Sequence, residues 1–107
     1  MKINFTGDRL FQLDNNLISE IDPENFNAML DEIGRFSISI ELASNQISSL
    51  KTGVFRDLEN SWIGLNNNTI VEVEAGAIGN ISFNSVFFLE LAENVTFAKN
   101  AFSVIFF

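Results

Sequence analysis

The sequence contains no cysteine and no histidine. Disulfides, thiol nucleophiles, imidazole bases and the usual zinc and iron ligands are thereby excluded, and with them most familiar catalytic constellations. Basic charge is scarce as well. Six Lys and Arg stand against 14 Asp and Glu, a formal net charge of −8, and no basic run exists to neutralise a phosphate backbone. Nucleic acid is therefore not an expected partner, and the same sign argument disfavours an anionic membrane surface. No stretch approaches the roughly 18 apolar residues of a membrane span, and "MKINFTGDRLFQLDNN" has polar residues where a secretory leader would be apolar. This segment is thus not expected to insert into a membrane. Without cysteine the compartment stays open.

What the sequence does have is apolar bulk: 47% of 107 residues, including 12 Phe. That is enough for one continuous core, so residues 1–107 are read as one domain. The apolar residues are not scattered. A pattern of apolar, x, apolar, x, x, Asn, x, apolar, x, x, apolar, followed five positions later by a bulky apolar residue, occurs three times. Its members are Phe11, Leu13, Asn16, Ile18, Ile21 and Phe26; Ile40, Leu42, Asn45, Ile47, Leu50 and Phe55; and Ile63, Leu65, Asn68, Ile70, Val73 and Ile78. A fourth copy begins with Leu89, Leu91 and Asn94, then places Thr96 at an apolar position and reaches Phe102 two residues early.

This pattern resembles the leucine-rich repeat family, whose core segment reads L-x-x-L-x-L-x-x-N-x-L. The resemblance implies an α/β solenoid of about four repeats, of typical type and without recognisable caps, with short parallel strands on a concave face. A short helix or turns would form the convex face. It also implies a piece of a longer receptor-like or adhesion-like array.

The repeated asparagine has a physical reason. Where each coil turns inward, backbone N–H and C=O groups lose their strand partners in a dry core, and an amide supplies both donors and an acceptor. Asn16, Asn45, Asn68 and Asn94 are therefore expected to stack as a ladder. A binding role for these amides is the competing reading. After the first copy, "DPENFNAMLDEI" offers Asp22 as N-cap, Pro23 at the first helical position, and Phe26, Met29, Leu30 and Ile33 at helical spacing. The second return is too short for more than a turn and is expected as 3₁₀ or loop. The third, with its glycines, is expected to be extended or irregular. Phe26, Phe55, Ile78 and Phe102 would form a spine.

The positions flanking each strand would point outward from the concave face as a polar, acidic grid. Its candidate partner-binding residues are Gln12, Asp14, Glu41, Ser44, Asn66, Asn67, Glu90 and Glu93. In this reading Glu90 and Glu93 stack beside Glu41, and Trp62 at the rim is either an aromatic anchor or a core-edge residue. Paired carboxylates at Asp31 and Glu32 or Glu72 and Glu74 lack a nucleophile or orienting partner and read as surface charge, so no catalytic residue is assigned. No calcium loop, phosphate loop or dinucleotide fingerprint is present, and no metal or cofactor is assigned. N-glycosylation sequons begin at Asn4, Asn67, Asn80 and Asn94, with Asn4 and Asn80 expected in exposed loops and Asn94 buried in the ladder. They tilt the compartment slightly toward an extracellular or cell-surface one. The function implied by the resemblance is non-catalytic recognition of a protein, preferably basic; the alternative is a structural spacer with no partner of its own.

Overall fold

The computed structural model describes residues 9–103. In chain order the elements are β1 (Leu10–Gln12), α1 (Pro23–Ile33), β2 (Ser39–Glu41), β3 (Ser49–Leu50), β4 (Phe55–Leu58), β5 (Trp62–Gly64), β6 (Ile70–Val73), β7 (Ile78–Ile81), β8 (Val86–Phe88), β9 (Leu91–Phe97) and β10 (Phe102–Ser103). They form three parallel sheets, ordered β1-β2-β5-β8, β3-β6-β9 and β4-β7-β10. From β2 onward the chain visits the sheets in rotation, so each strand pairs with its counterpart one coil away. One helix with parallel strands is compatible with the α/β class expected.

The registers explain the apolar columns. Phe11 pairs with Ile40, Ile40 with Ile63, Leu50 with Val73, and Phe55 with Ile78. All of these side chains are buried, as are Leu13, Leu42, Leu65, Ile47 and Ile70. Fully burying one such side chain stabilises the fold by about 1.5–3 kcal/mol. The interior is therefore a stack of like on like. Phe26 meets Phe55 edge to face at 5.7 Å, and Phe55 meets Phe87 at 5.7 Å.

Asparagines bridge the coils. Asn45 Nδ2 donates to the carbonyls of Leu42 and, one coil back, Leu13, both at 3.0 Å. Its Oδ1 accepts from the backbone N–H of Asn16 and Ile18, both at 3.1 Å. Asn68 repeats this one coil on, donating to Leu42 and Leu65 and accepting from Ile47 N–H at 3.0 Å. The residue before each of these asparagines, Asn15, Ser44 or Asn67, takes a left-handed φ of 56–58°. Small polar side chains tolerate that conformation best after glycine.

The helix begins and ends where the sequence places it. Asp22 caps it by accepting from Glu24 N–H at 3.2 Å, Pro23 opens it, and Gly34 N–H closes it onto Leu30 C=O at 2.8 Å. Its buried face includes a polar residue, Asn27, whose Nδ2 donates to Pro23 C=O at 2.7 Å and to Gly53 C=O at 2.8 Å. Arg35 donates to Asn27 Oδ1 at 3.1 Å. The amide ties the helix to the corner of the next coil.

One expectation is corrected and another holds. The return of the second coil is strand β4 rather than 3₁₀ or loop, whereas that of the third is extended, as the sequence reading has it, and forms strand β7. Gly53, Gly76 and Asn100, all with positive φ, form a stacked corner in which Gly53 N–H donates to Gly76 C=O at 2.9 Å. With the turn confined to that corner, the following residues are left extended and pair in parallel.

The fourth coil is the larger correction. Phe87, not Leu89, pairs with Ile63, which moves the repeat frame two residues earlier than the sequence reading has it. In that frame Phe97 pairs with Val73 and Phe102 with Ile78, so neither is displaced. Ala92 then stands in the asparagine column and Leu91 at the left-handed position. Leu91 does not have a positive φ. Without the turn-forming pair, β9 bulges: Ile70 pairs with Leu91, but Glu72 pairs with Thr96. Asn94, expected to be buried, is lifted out and exposed, while Val95 packs on the core. A regular register would have set the Asn94 amide opposite Ile70 in the apolar interior, where it would pay for desolvation. Phe102 keeps its column but is 45% exposed.

Candidate functional site

On the first sheet, alternation sends Phe11, Ile40, Ile63 and Phe87 inward, so their neighbours face out. The outward positions in register are Gln12, Glu41, Gly64 and Phe88 in one column, with Ser39, Trp62 and Val86 in the column before it. Just beyond the strands come Asp14, Ala43, Asn66 and Glu90, then Asn15, Ser44 and Asn67. Of the predicted binding residues, Gln12, Asp14, Glu41, Ser44, Asn66, Asn67 and Glu90 thus share one face. Glu93 does not, because it lies in the bulged strand β9 of the second sheet. Glu90 lines up with Asn66 instead of Glu41.

The central feature is a glycine. Gly64 points outward yet is buried, because the Trp62 ring lies across it. A Cβ on Gly64 would stand 2.6 Å from Trp62 Cζ3 and 2.7 Å from Glu41 Oε1. A side chain there would displace the ring and the carboxylate. Trp62 is therefore neither a core residue nor a rim residue; it covers the middle of the outward face.

The electrostatics are acidic. Glu41 has its carboxyl pKa raised, first by burial against this surface and then by the charge of Asp14. Among the described residues no cation pairs with it. The arginines and Lys51 are engaged elsewhere: Arg9 donates to the carbonyls of Ile33, Gly34 and Phe36, Arg35 pairs with Asp31, Arg56 with Asp57, and Lys51 with Glu74. At the next turn the polar groups are joined, Asn67 Nδ2 to Ser44 Oγ at 2.9 Å and Asn67 N–H to Glu90 Oε1 at 3.3 Å.

Phe88, 57% exposed, and Val86, 49% exposed, add an apolar strip beside Trp62. Sequence reasoning missed them because the shifted frame assigned Glu90 to the column where Phe88 stands. The signal was present in "SVFFLEL", whose run of apolar residues accommodates either frame. An apolar groove of about 340 Å³ between residues 13–21 and α1, lined mainly by Leu13, Ile18, Ile21, Phe26, Met29 and Leu42, lies away from this face. It opens directly on core side chains, with Glu20, Asp22 and Asn25 also in its lining.

The other acidic pairs are bound into the scaffold. Glu74 accepts from Thr52 N–H at 2.9 Å, and this bond is the first cause of its lowered pKa. Glu72 accepts from Ser49 Oγ at 3.0 Å. Among the sequons, Asn80 lies in β7 with its amide donated to Asp57 at 2.7 Å, not in an exposed loop. That bond is also the first cause of the lowered Asp57 pKa. Asn67 and Asn94 are exposed, and Asn4 is outside the described residues. Among the described residues no helix is long and apolar enough to cross a membrane.

No protein-family profile matches the chain, and no solved structure does. Over 85 residues, 79% of this chain, it is 36% identical to "Leucine-rich repeats and immunoglobulin-like domains protein 2" of Mus musculus. Over 87 residues, again 79% of this chain, it is 33% identical to the protein of the same name from Homo sapiens. The chain spans 8% and 7% of the lengths of these relatives. Their names support a leucine-rich-repeat relationship, in agreement with the resemblance read from the spacing of apolar residues and asparagines.

Proposed function

We propose that residues 1–107 are one leucine-rich-repeat solenoid domain of typical type, held by an asparagine ladder at Asn16, Asn45 and Asn68. Its outward first-sheet face, the concave one, docks a protein. The module is non-catalytic and its preferred partner is basic. The observation that carries this reading is the Trp62 ring laid over Gly64 beside Glu41, whose charge no described cation balances. Aromatic surface with uncompensated charge is what protein interfaces use for anchoring and for electrostatic selection. A cell-surface or extracellular setting suits the relatives' names, and the exposed sequons at Asn67 and Asn94 fit a glycoprotein.

Charge reversal tests it. Glu41→Lys with Glu90→Lys should weaken binding to immobilised basic proteins by at least tenfold while the circular dichroism spectrum is kept. Glu93→Lys, off the face, should change binding far less. Equal effects at Glu41 and Glu93 would refute a face-specific role.

The spacer reading, a segment of a longer array without a partner of its own, is favoured by a different observation. Phe97 and Phe102, each 45% exposed, lie 5.6 Å apart on β9 and β10, whose outer edges have no partner strand among the described residues. Fusing a capping coil after Phe107 should then raise solubility without creating any binding. A soluble, monodisperse chain without the cap would count against it.

A further inference from the structure

We infer that Trp62, Gly64 and Glu41 together recognise an arginine side chain of the docked protein, an inference that rests on the docking role of this face. The first support is geometric. Because Gly64 has no Cβ, the indole settles over the backbone with its rim reaching the same point as Glu41 Oε1. The distal edge of the indole and a carboxylate oxygen thus meet over one glycine. A guanidinium is flat, stacks on an indole face and donates from its own edge, so one group satisfies both neighbours. An ammonium is a compact, strongly hydrated point charge and does not stack.

Charge complementarity supplies the second support. Asp14 and Glu41 repel each other enough for Asp14 to contribute to the raised Glu41 pKa. The arginines whose side chains are described make their bonds elsewhere, to main-chain carbonyls, to Asn27 or to Asp31 and Asp57. The repulsion is relieved when an external cation arrives. Burial of Glu41 at the same time strengthens its attraction for that cation relative to a fully solvated carboxylate.

The third support is the strip beside the ring. Val86 is the register partner of Trp62, and Phe88 that of Gly64. Both are exposed, and they offer apolar surface to the methylene stem of the arginine and to an apolar residue next to it. The occupant is accordingly an arginine flanked by apolar side chains on an exposed segment of another protein.

Calorimetric titration of the full chain with three blocked peptides, Leu-Arg-Leu, Leu-Lys-Leu and Leu-citrulline-Leu, tests this. Citrulline keeps the planar shape of arginine and removes its charge. The arginine peptide should bind about tenfold more tightly than either of the others. Glu41→Gln should abolish the preference over citrulline, and Gly64→Ala, which displaces the ring, should abolish the preference over lysine. Where Gly64→Ala fails to fold, Trp62→Leu replaces it, with the denaturation midpoint as control. Equal binding of the arginine and citrulline peptides, or a preference that survives Glu41→Gln, overturns the inference. If basic proteins still bind in a manner sensitive to Glu41→Lys with Glu90→Lys while the peptides show no preference, the arginine reading falls and the docking reading stands. If no basic probe responds to that charge reversal, both fall.

Discussion

The side-chain amide of Asn45 reaches back one coil and donates to the carbonyl of Leu13 at 3.0 Å. Through that bond and its acceptor bonds to Asn16 and Ile18, a single residue satisfies backbone groups in two coils. Asn94, which occupies the same place in the sequence-based alignment, is exposed in the bulge of β9.

The two residues should therefore respond differently to truncation. Asn45→Ala leaves buried turn groups unpaired and should cost about 1–3 kcal/mol in urea denaturation. Asn94→Ala should fall within about 0.5 kcal/mol of wild type. Equal losses would return Asn94 to the column.

The fourth coil departs from the others at three side chains, and restoring them should regularise it. The variant carrying Leu91→Asn, Ala92→Asn and Asn94→Ile recreates the left-handed residue, the bridging amide and the apolar anchor in the observed frame. A gain of about 1 kcal/mol is expected, seen as a raised denaturation midpoint, together with hydrogen-exchange protection across residues 91–95. Loss of stability would show that the bulge is preferred for reasons other than these residues.

Asn27 is a buried donor to two carbonyl groups, at Pro23 and Gly53. Asn27→Ala should cost about 1–3 kcal/mol. Asn27→Asp, of the same shape, should cost at least as much at pH 7, because it turns a carboxylate oxygen toward those carbonyls. An aspartate variant as stable as wild type would mean that the helix is held by its apolar face alone.

Glu41 makes stability depend on pH in a direction uncommon for a carboxylate. Its folded-state pKa is raised above the ordinary 4.5 by burial, with Asp14 adding to the effect. The folded chain thus binds this proton more readily than the unfolded chain does. Stability from this group is greatest at low pH, and falls as pH rises through the ordinary value to the raised one. Glu41→Gln, which leaves Gln12, Asp14, Trp62 and Gly64 around it, should melt slightly higher than wild type at pH 7. The gain should vanish below pH 4, where Glu41 is protonated in both states. A variant that melts lower at pH 7 would contradict the assigned direction.

Much of this molecule was legible in its sequence because the relevant physics is local or strictly periodic. Asp22 and Pro23 mark the start of a helix by backbone chemistry that acts within one turn. Three matched windows put Asn16, Asn45 and Asn68 in one column, since residues of equal rank in stacked coils must meet equal surroundings. The outward face followed from the same alternation, which puts the residues named for it, Glu93 excepted, on one side of the first sheet.

Tertiary structure decided what periodicity left degenerate. In "SVFFLELAEN" both Phe87 with Leu89 and Leu89 with Leu91 satisfy the apolar pattern, and a visible asparagine favoured the second. Pairing with Ile63 selects the first, which also keeps Phe97 and Phe102 in register with Val73 and Ile78. That choice exposed Asn94, moved Glu93 off the face and put Phe88 beside Gly64. The resting place of Trp62 was likewise invisible in sequence: a missing Cβ matters only once a ring and a carboxylate from neighbouring coils converge on it. The sequence determined the repeat and its polar bridges, whereas the frame of the last coil and the make-up of the outward face were decided by packing between coils.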